Sequence, residues 1–308
     1  MMKRFDVLAI GEGMVEFNQT VPGERNYLQG FGGDTSNAVM AAARAGARCG
    51  YVSAVGDDVF GKSLMDLWQF AGIDTAQVAI KSGASTGLYF VTHGVKGHEF
   101  SYRRAGSAAA TMTLNETQRE ALSSTQWLHF SGISQAISDH ARVQCAAAVR
   151  LARAAGAQIS FDSNLRLKLW SLQEAKQHMI PAIATCDLFL PSMDDVMQLS
   201  GLQHPQAIIR WSHDLGAKQV ALKMGNEGVL VSDGRVQELI APMKVQAIDA
   251  TGAGDCFAGN MLARLALGDD LPTAARYANA AAALSVQGFG AVEPLPWPDA
   301  VCRLLKIQ

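Results

Sequence analysis

Residues 249–255 read Asp-Ala-Thr-Gly-Ala-Gly-Asp, and this stretch has the residue types and spacing for chemistry. Two carboxylates, Asp249 and Asp255, flank a turn of small residues, Gly252, Ala253 and Gly254. A helical pattern over residues 256–266 follows at once. Small residues at a helix start let backbone N–H groups approach an anion closely, and the helix dipole favours negative charge there. A carboxylate on the same turn can take a proton from whatever attacks that anion. An anion cradle and a base at one helix start suit phosphoryl transfer to a hydroxyl. The same residues also suit a Gly-rich cap with Asp255 as a dipole-compensating acid. The local pattern does not choose between the two.

Other clusters offer weaker signals. Gly32, Gly33, Asp34 and Asn37 sit where a helix opens, so a ligand could approach the backbone and meet two hydroxyl-binding side chains. An ordinary glycine turn with Asp34 as N-cap is the stronger reading of this motif taken alone. Asp162, Asn164 and Arg166 alternate after an apolar strand, and open parallel sheets bind ligands beyond strand C-termini. An Asx turn with a solvated arginine is the alternative. Tyr102-Arg103-Arg104 ends a hairpin; an arginine fork can grip a planar carboxylate, or merely charge an edge strand. Lys223 leads to Gly225 and Gly228, which could hold a phosphate or turn a hairpin. No GxxxxGK[ST] is present, no GxGxxG follows the first strand, and no HExxH occurs. Walker-type, dinucleotide-binding and metalloprotease readings are therefore disfavoured.

The elements that must position these residues alternate along the chain. Residues 6–11 read as a buried strand ending in glycine, and from residue 127 onward strands and helices repeat. This pattern predicts a three-layer α/β/α domain with a mostly parallel central sheet. Alternating stretches at about 12–31 and 86–105 read as hairpins, the second turning at residues 94–97. They are expected to project as a small β lid from a single domain spanning residues 1–308.

Composition narrows the class. The chain has 308 residues, 49% of them hydrophobic, which is ample for a large core. A net charge of −2 and no basic run argue against nucleic acid as a partner. Five scattered cysteines with no CxxC pair argue against a zinc cluster or a disulfide framework and suit a reducing compartment. No apolar run is long enough to span a membrane, and a cytoplasmic location is expected.

Taken in order and spacing, the Gly32-Gly33/Asn37, Asp162-Ser-Asn164-x-Arg166 and Asp249-to-Asp255 motifs resemble the ribokinase-like (PfkB) carbohydrate kinases across essentially the whole chain. The resemblance implies a ribokinase-like fold and ATP-dependent transfer to a sugar hydroxyl. It makes Asp255 the general base and the amides of Gly252, Ala253 and Gly254 the anion hole. It assigns Asn164, Ser192, Lys223, Gly225, Gly228 and Asn279 to the ATP site, with Mg2+ bridging the phosphates. Asp249 falls where the family has monovalent-cation (K+) or metal–water contacts. One departure stands out. The family commonly carries N-x-x-E after the strand at 188–190, whereas this chain has Ser192 and Asp195, which the resemblance implies substitute in the Mg2+–water network with a shorter acid.

Within the family the details resemble the 2-keto-3-deoxygluconate kinases, notably residues 11–17, the Tyr102-x-Arg104 segment and residues 161–170. Arg104 and Arg166 are then expected to meet the carboxylate of a sugar acid, with Tyr89 and Tyr102 on the lid contacting the same substrate. A kinase for a neutral sugar, such as fructose or a ribosyl compound, is the alternative. A sugar-binding regulator without activity would lack the base or the anion turn, and this chain keeps both. Apolar outer faces of the lid imply a homodimer or higher homo-oligomer.

Overall fold

The computed structural model describes residues 3–94 and 97–307. In chain order, β1 (Phe5–Ile10), β2 (Met14–Gln19) and β3 (Tyr27–Gly32) lead to α1 (Asp34–Arg44), β4 (Cys49–Gly56), α2 (Val59–Phe70) and β5 (Val78–Lys81). Next come β6 (Gly87–Gly94), β7 (Gly97–Arg103), α3 (Glu116–Ser123), β8 (Thr125–Ser131), α4 (Gly132–Ala136), α5 (Asp139–Ala154) and β9 (Gln158–Asp162). The second half runs α6 (Leu172–Thr185), β10 (Leu188–Leu190), α7 (Met193–Ser200), α8 (Pro205–Leu215) and β11 (Gln219–Lys223). It finishes with β12 (Val229–Ser232), β13 (Gln237–Ile240), α9 (Ala253–Ala266), α10 (Leu271–Ser285) and α11 (Pro298–Leu305).

Nine strands form the main sheet in the order β13-β12-β11-β10-β9-β8-β1-β4-β5. Pairing is parallel from β11 through to β5, while β12 pairs antiparallel with β11 and β13 antiparallel with β12. The period-2 alternation of β1 divides its side chains between two cores. Val7 and Ala9 join the cluster under α1, α2, α9, α10 and α11, while Phe5, Leu8 and Ile10 join the cluster under α3 and α5 to α8. Helices thus cover both faces, as a buried parallel sheet requires.

Strand order changes direction at β1: the chain first builds outward to β4 and β5, then returns to β8 on the other side. Such a switch point opens a crevice beyond the strand C-termini. Residues ending or following β1, β8, β9 and β11, namely Glu12, Ser131, Asp162 and Lys223, all reach that edge.

A second sheet of four strands, in the order β3-β2-β6-β7, stands over it. Two antiparallel hairpins are joined by parallel pairing of β2 with β6, with Glu16 opposite Tyr89. One face carries a small cluster of Met14, Tyr89 and Val91, with Phe100 and Tyr102 against it. The central residues of the turn expected at 94–97, Val95 and Lys96, lie outside the described residues.

Two helix starts differ from the sequence expectation. α1 begins at Asp34, and its N-cap is Gly33 with φ 101°, so Asp34 is the first helical residue rather than the cap. α9 begins at Ala253, with Gly252 as N-cap at φ 74°. Glycine alone adopts that conformation cheaply, so both helices start one or more residues before the apolar pattern. The short elements α3, α4 and β5 carry too little periodicity to be legible.

Candidate active site

Helices α1 and α9 cross so closely that a Cβ on Gly259 would sit 2.0 Å from the Ala38 carbonyl oxygen. That contact brings the first turns of the two helices together. Asn37 Nδ2 donates to Asp255 Oδ2 at 2.8 Å, joining motifs 218 residues apart. Asn164 adopts φ 28°, a left-handed conformation that asparagine tolerates, and its Nδ2 donates to Asp34 Oδ2 at 3.1 Å. Asp162 Oδ1 accepts from the Asn164 amide at 3.1 Å, and Asp162 Oδ2 pairs with Lys223 Nζ at 2.5 Å. A Cβ on Gly254 would lie 3.4 Å from the same ammonium, so Lys223 stands beside the glycine turn.

Three carboxylates thus share the crevice with one ammonium. Burial pushes the Asp255 carboxyl up to about 8; the charges of Asp34 and Asp162 add to this, while the Asn37 bond and Lys223 oppose it. Burial raises Asp34 as well. A carboxylate tuned towards neutrality, at the start of a helix and beside a cation, is equipped to accept a proton near an anion.

A cavity of about 830 Å3 opens here, lined by Asp255, Gly252, Gly254, Asp162, Asn164, Arg166, Ser192, Asp194, Asp195, Lys223 and Gly225 among others. Ala253, Gly228 and Asn279 do not line it. The Ala253 amide is engaged with the Ala250 carbonyl at 3.2 Å, closing the turn. Gly228, at φ 92°, leaves room for the Ile240 carbonyl and turns a hairpin. Asn279 donates to the Ala241 carbonyl at 2.9 Å.

The two carboxylates expected at a metal are occupied by their own chain. Asp195 Oδ2 accepts from Ser163 Oγ at 2.7 Å and from the Leu165 amide at 3.1 Å. Asp249 Oδ1 accepts from the Thr251 amide and hydroxyl, and its Oδ2 from the Gly290 amide. Among the described residues, no three His, Cys, Asp or Glu side chains gather as a metal cage. Asp194, one residue earlier and exposed, lines the cavity instead.

The lid residues stand as follows. Tyr89 is buried against Gly32, where a Cβ would fall 2.3 Å from its hydroxyl, and it donates to Glu16 Oε2 at 2.5 Å. Tyr102 stacks on Tyr89 with centroids 6.0 Å apart, and the Arg104 guanidinium lies 5.9 Å from the Tyr102 ring centroid. Arg104 is buried, but it does not wait unpaired for a ligand: its Nε donates to Glu12 Oε2 at 2.7 Å. Arg166 is exposed at the cavity wall and donates to the Leu165 carbonyl at 2.9 Å. The expected pair of waiting arginines is thus one paired side chain at the lid seam and one open side chain at the cavity.

Sequence reasoning missed Glu12 and Glu16 as site residues and left Asp162 without its partner Lys223. Their signals were a place just beyond β1, within β2, or at the end of β9, and membership of the 11–17 and 161–170 segments that carry the family likeness.

A second cavity of about 580 Å3 lies under the lid, lined by Glu16, Asn18, His93 and Phe100 on one side and Asp249, Thr251 and Gly290 on the other.

The chain is 33% identical to a 2-dehydro-3-deoxygluconokinase of Thermoproteus tenax, over 97% of this chain and 94% of that protein. It is 30% identical to fructokinase-1 of Zea mays, covering 97% of each. Among solved structures, the fructokinase of Vibrio cholerae O395, bound to fructose, ADP and calcium ion, superposes with a TM-score of 0.87 at 27% identity, covering 97% of this chain and 98% of that one. Its fold is therefore ribokinase-like α/β. The model of the pfkB family carbohydrate kinases matches residues 4–298, and the chain belongs to that family.

Proposed function

We propose that this carbohydrate kinase transfers the terminal phosphoryl group of ATP to the terminal hydroxyl of 2-keto-3-deoxygluconate. The observation that carries the chemistry is Asp255, held by Asn37 at the start of α9 beside Lys223. Asp255 takes the proton of the attacking hydroxyl as its oxygen bonds to phosphorus, and ADP leaves. The Gly252 and Gly254 amides and the Lys223 ammonium stabilise charge on the transferring group. The cavity of about 830 Å3 is large enough for the nucleotide.

Ser192 and Asp194 line the cavity and would hold magnesium, which would supply charge neutralisation at the phosphates. The residues fit an ion held through water rather than in a protein cage, with Ser192 and the exposed Asp194 facing it and Asp195 bracing the loop. Asp249, tying residues 249–251 to Gly290, is where a monovalent cation such as K+ would act. Activity in K+ that is no higher than in Na+ would remove that role.

The acid substrate is supported by Arg104 and Arg166 and by likeness to relatives that act, by name, on 2-dehydro-3-deoxygluconate. A neutral keto sugar such as fructose is the second reading, favoured by the Glu12–Arg104 pair, which already neutralises one arginine. Kinase assays over sugars and sugar acids with ATP and Mg2+ decide between them. A higher kcat/KM for fructose or a ribosyl compound than for any keto-deoxy acid would overturn the acid reading. Arg166→Ala should raise the KM for the acid roughly tenfold or more, with the KM for ATP within about twofold. The reverse pattern would move Arg166 to the nucleotide.

The lid is proposed to close over substrate and to pair with a second copy of the chain. Tyr27, Leu28 and Val21 are exposed apolar residues on or beside its strands. Light scattering that finds only monomer at micromolar concentration would refute the pairing.

A further inference from the structure

Glu12 lies two residues beyond β1, and Arg104 follows β7 directly, so their ion pair ties the main sheet to the lid. Both are buried, at 3% and 8% exposure. Arg104 Nε donates to Glu12 Oε2 at 2.7 Å, and Ser107 Oγ donates to Glu12 Oε1. Two glycines make room for the glutamate. A Cβ on Gly87 would lie 2.5 Å from Glu12 Oε1, and one on Gly33 would lie 2.2 Å from the Glu12 carbonyl oxygen.

The pair leaves donors unused. A guanidinium has five N–H groups in a fixed fork. Here Nε and Nη2 both face Glu12 Oε2, Nη2 at 2.5 Å, while Nη1 makes no hydrogen bond among the described residues. Buried donors in native structures find a partner, and one left over calls for an explanation. The Glu12 backbone lies against Gly33, the residue before Asp34, so the pair sits at the edge of the crevice that Asp34 shares with Asp255, and the Arg104 charge acts on the Asp34 carboxyl.

We propose that Glu12 is a positioning residue for acid recognition: it fixes the Arg104 fork at the lid seam so that the free donors meet the substrate carboxylate. This rests on the sugar-acid reading above. Because Glu12 cancels the arginine charge, recognition depends on the aim of the donors rather than on net attraction. A guanidinium freed from Glu12 keeps its charge and loses its aim.

The test compares wild type with Glu12→Gln, Ser107→Ala and Gly87→Ala. For each, KM for 2-keto-3-deoxygluconate, KM for ATP, kcat and Tm are measured, with fructose as the neutral substrate. Glu12→Gln is expected to raise the KM for the acid by roughly tenfold or more, while the KM for ATP stays within about twofold. Ser107→Ala and Gly87→Ala should shift it in the same direction by less. They decide the question if Glu12→Gln does not fold. An acid KM that is unchanged or lowered would overturn the positioning role, because Glu12 would then be neutral or a competitor. Equal rises in both KM values would reduce Glu12 to a structural strut and also overturn it. A wild type that turns over fructose but no keto-deoxy acid would overturn the substrate reading and this proposal together; an active wild type with unshifted variants overturns the proposal alone.

Discussion

Asp255 is costly to ionise where it stands. Its carboxyl is pushed up to about 8, mainly by burial and then by the charge of Asp34. The free enzyme should therefore gain kcat/KM about tenfold per pH unit below that value and level off above it. A pH profile flat from 6 to 9 would remove Asp255 as base. Stability should move the other way. The folded carboxyl keeps its proton until about 8, whereas the unfolded one loses it near 3.8. Between those values a rising pH deprotonates the unfolded chain first, so the protein without ligands loses stability across that window and no more above it. Asp255→Asn removes both effects. Its turnover is expected to fall by about 10²–10⁴ with a modest change in KM, and its Tm should fall less steeply with rising pH in this range than that of wild type. Undiminished turnover, or a Tm profile parallel to that of wild type, would contradict this account.

One element, α9, sets the geometry through two glycines. Gly252 caps it at φ 74°, and a Cβ there would fall 2.7 Å from the Ala291 Cβ. Gly259 seats it on α1, so that Asn37 reaches Asp255. Gly259→Ala should cost about 1–3 kcal/mol through overpacking and lower kcat by prising the two helix starts apart. Gly252→Ala should lower kcat further at a similar cost, since strain and clash fall on the anion turn itself. Denaturant unfolding beside steady-state kinetics checks both. A Gly259→Ala protein with full activity would show that the α1–α9 spacing is not what places the base.

At the scale of the molecule, the site exists because strand order changes direction at β1. Glu12, Asp162 and Lys223 converge from strand ends far apart in sequence, and the proposed site draws Arg104, Tyr89 and Tyr102 from the lid. A site spread over two sheets should stabilise the whole fold when filled. ATP with Mg2+ at about 100 times its Kd should add about 2.7 kcal/mol and raise Tm accordingly. The sugar acid should add its own increment and slow hydrogen exchange in β2, β3, β6 and β7. An acid that protects only the main sheet would argue against lid closure.

Much of this was legible in the amino-acid order. Chemistry carried by neighbours in the chain survives without coordinates: the glycine turn with Asp255, the alternation of Asp162 and Asn164, and the repeating strands and helices of a parallel sheet. Family likeness rests on those same local motifs. What the sequence could not determine depended on distance in space. Nothing local pairs Arg104 with Glu12, Lys223 with Asp162, or Asn37 with Asp255, because each pair is joined only after long-range strand order is set. Nor could it say that Asp195 and Asp249 spend their oxygens on nearby backbone, which depends on how loops close. The three local motifs, taken together in their order and spacing, determined the reaction type through the family likeness, although the helix start alone did not. Tertiary structure decided which charges are neutralised before a substrate arrives, because burial and pairing are properties of the packed molecule.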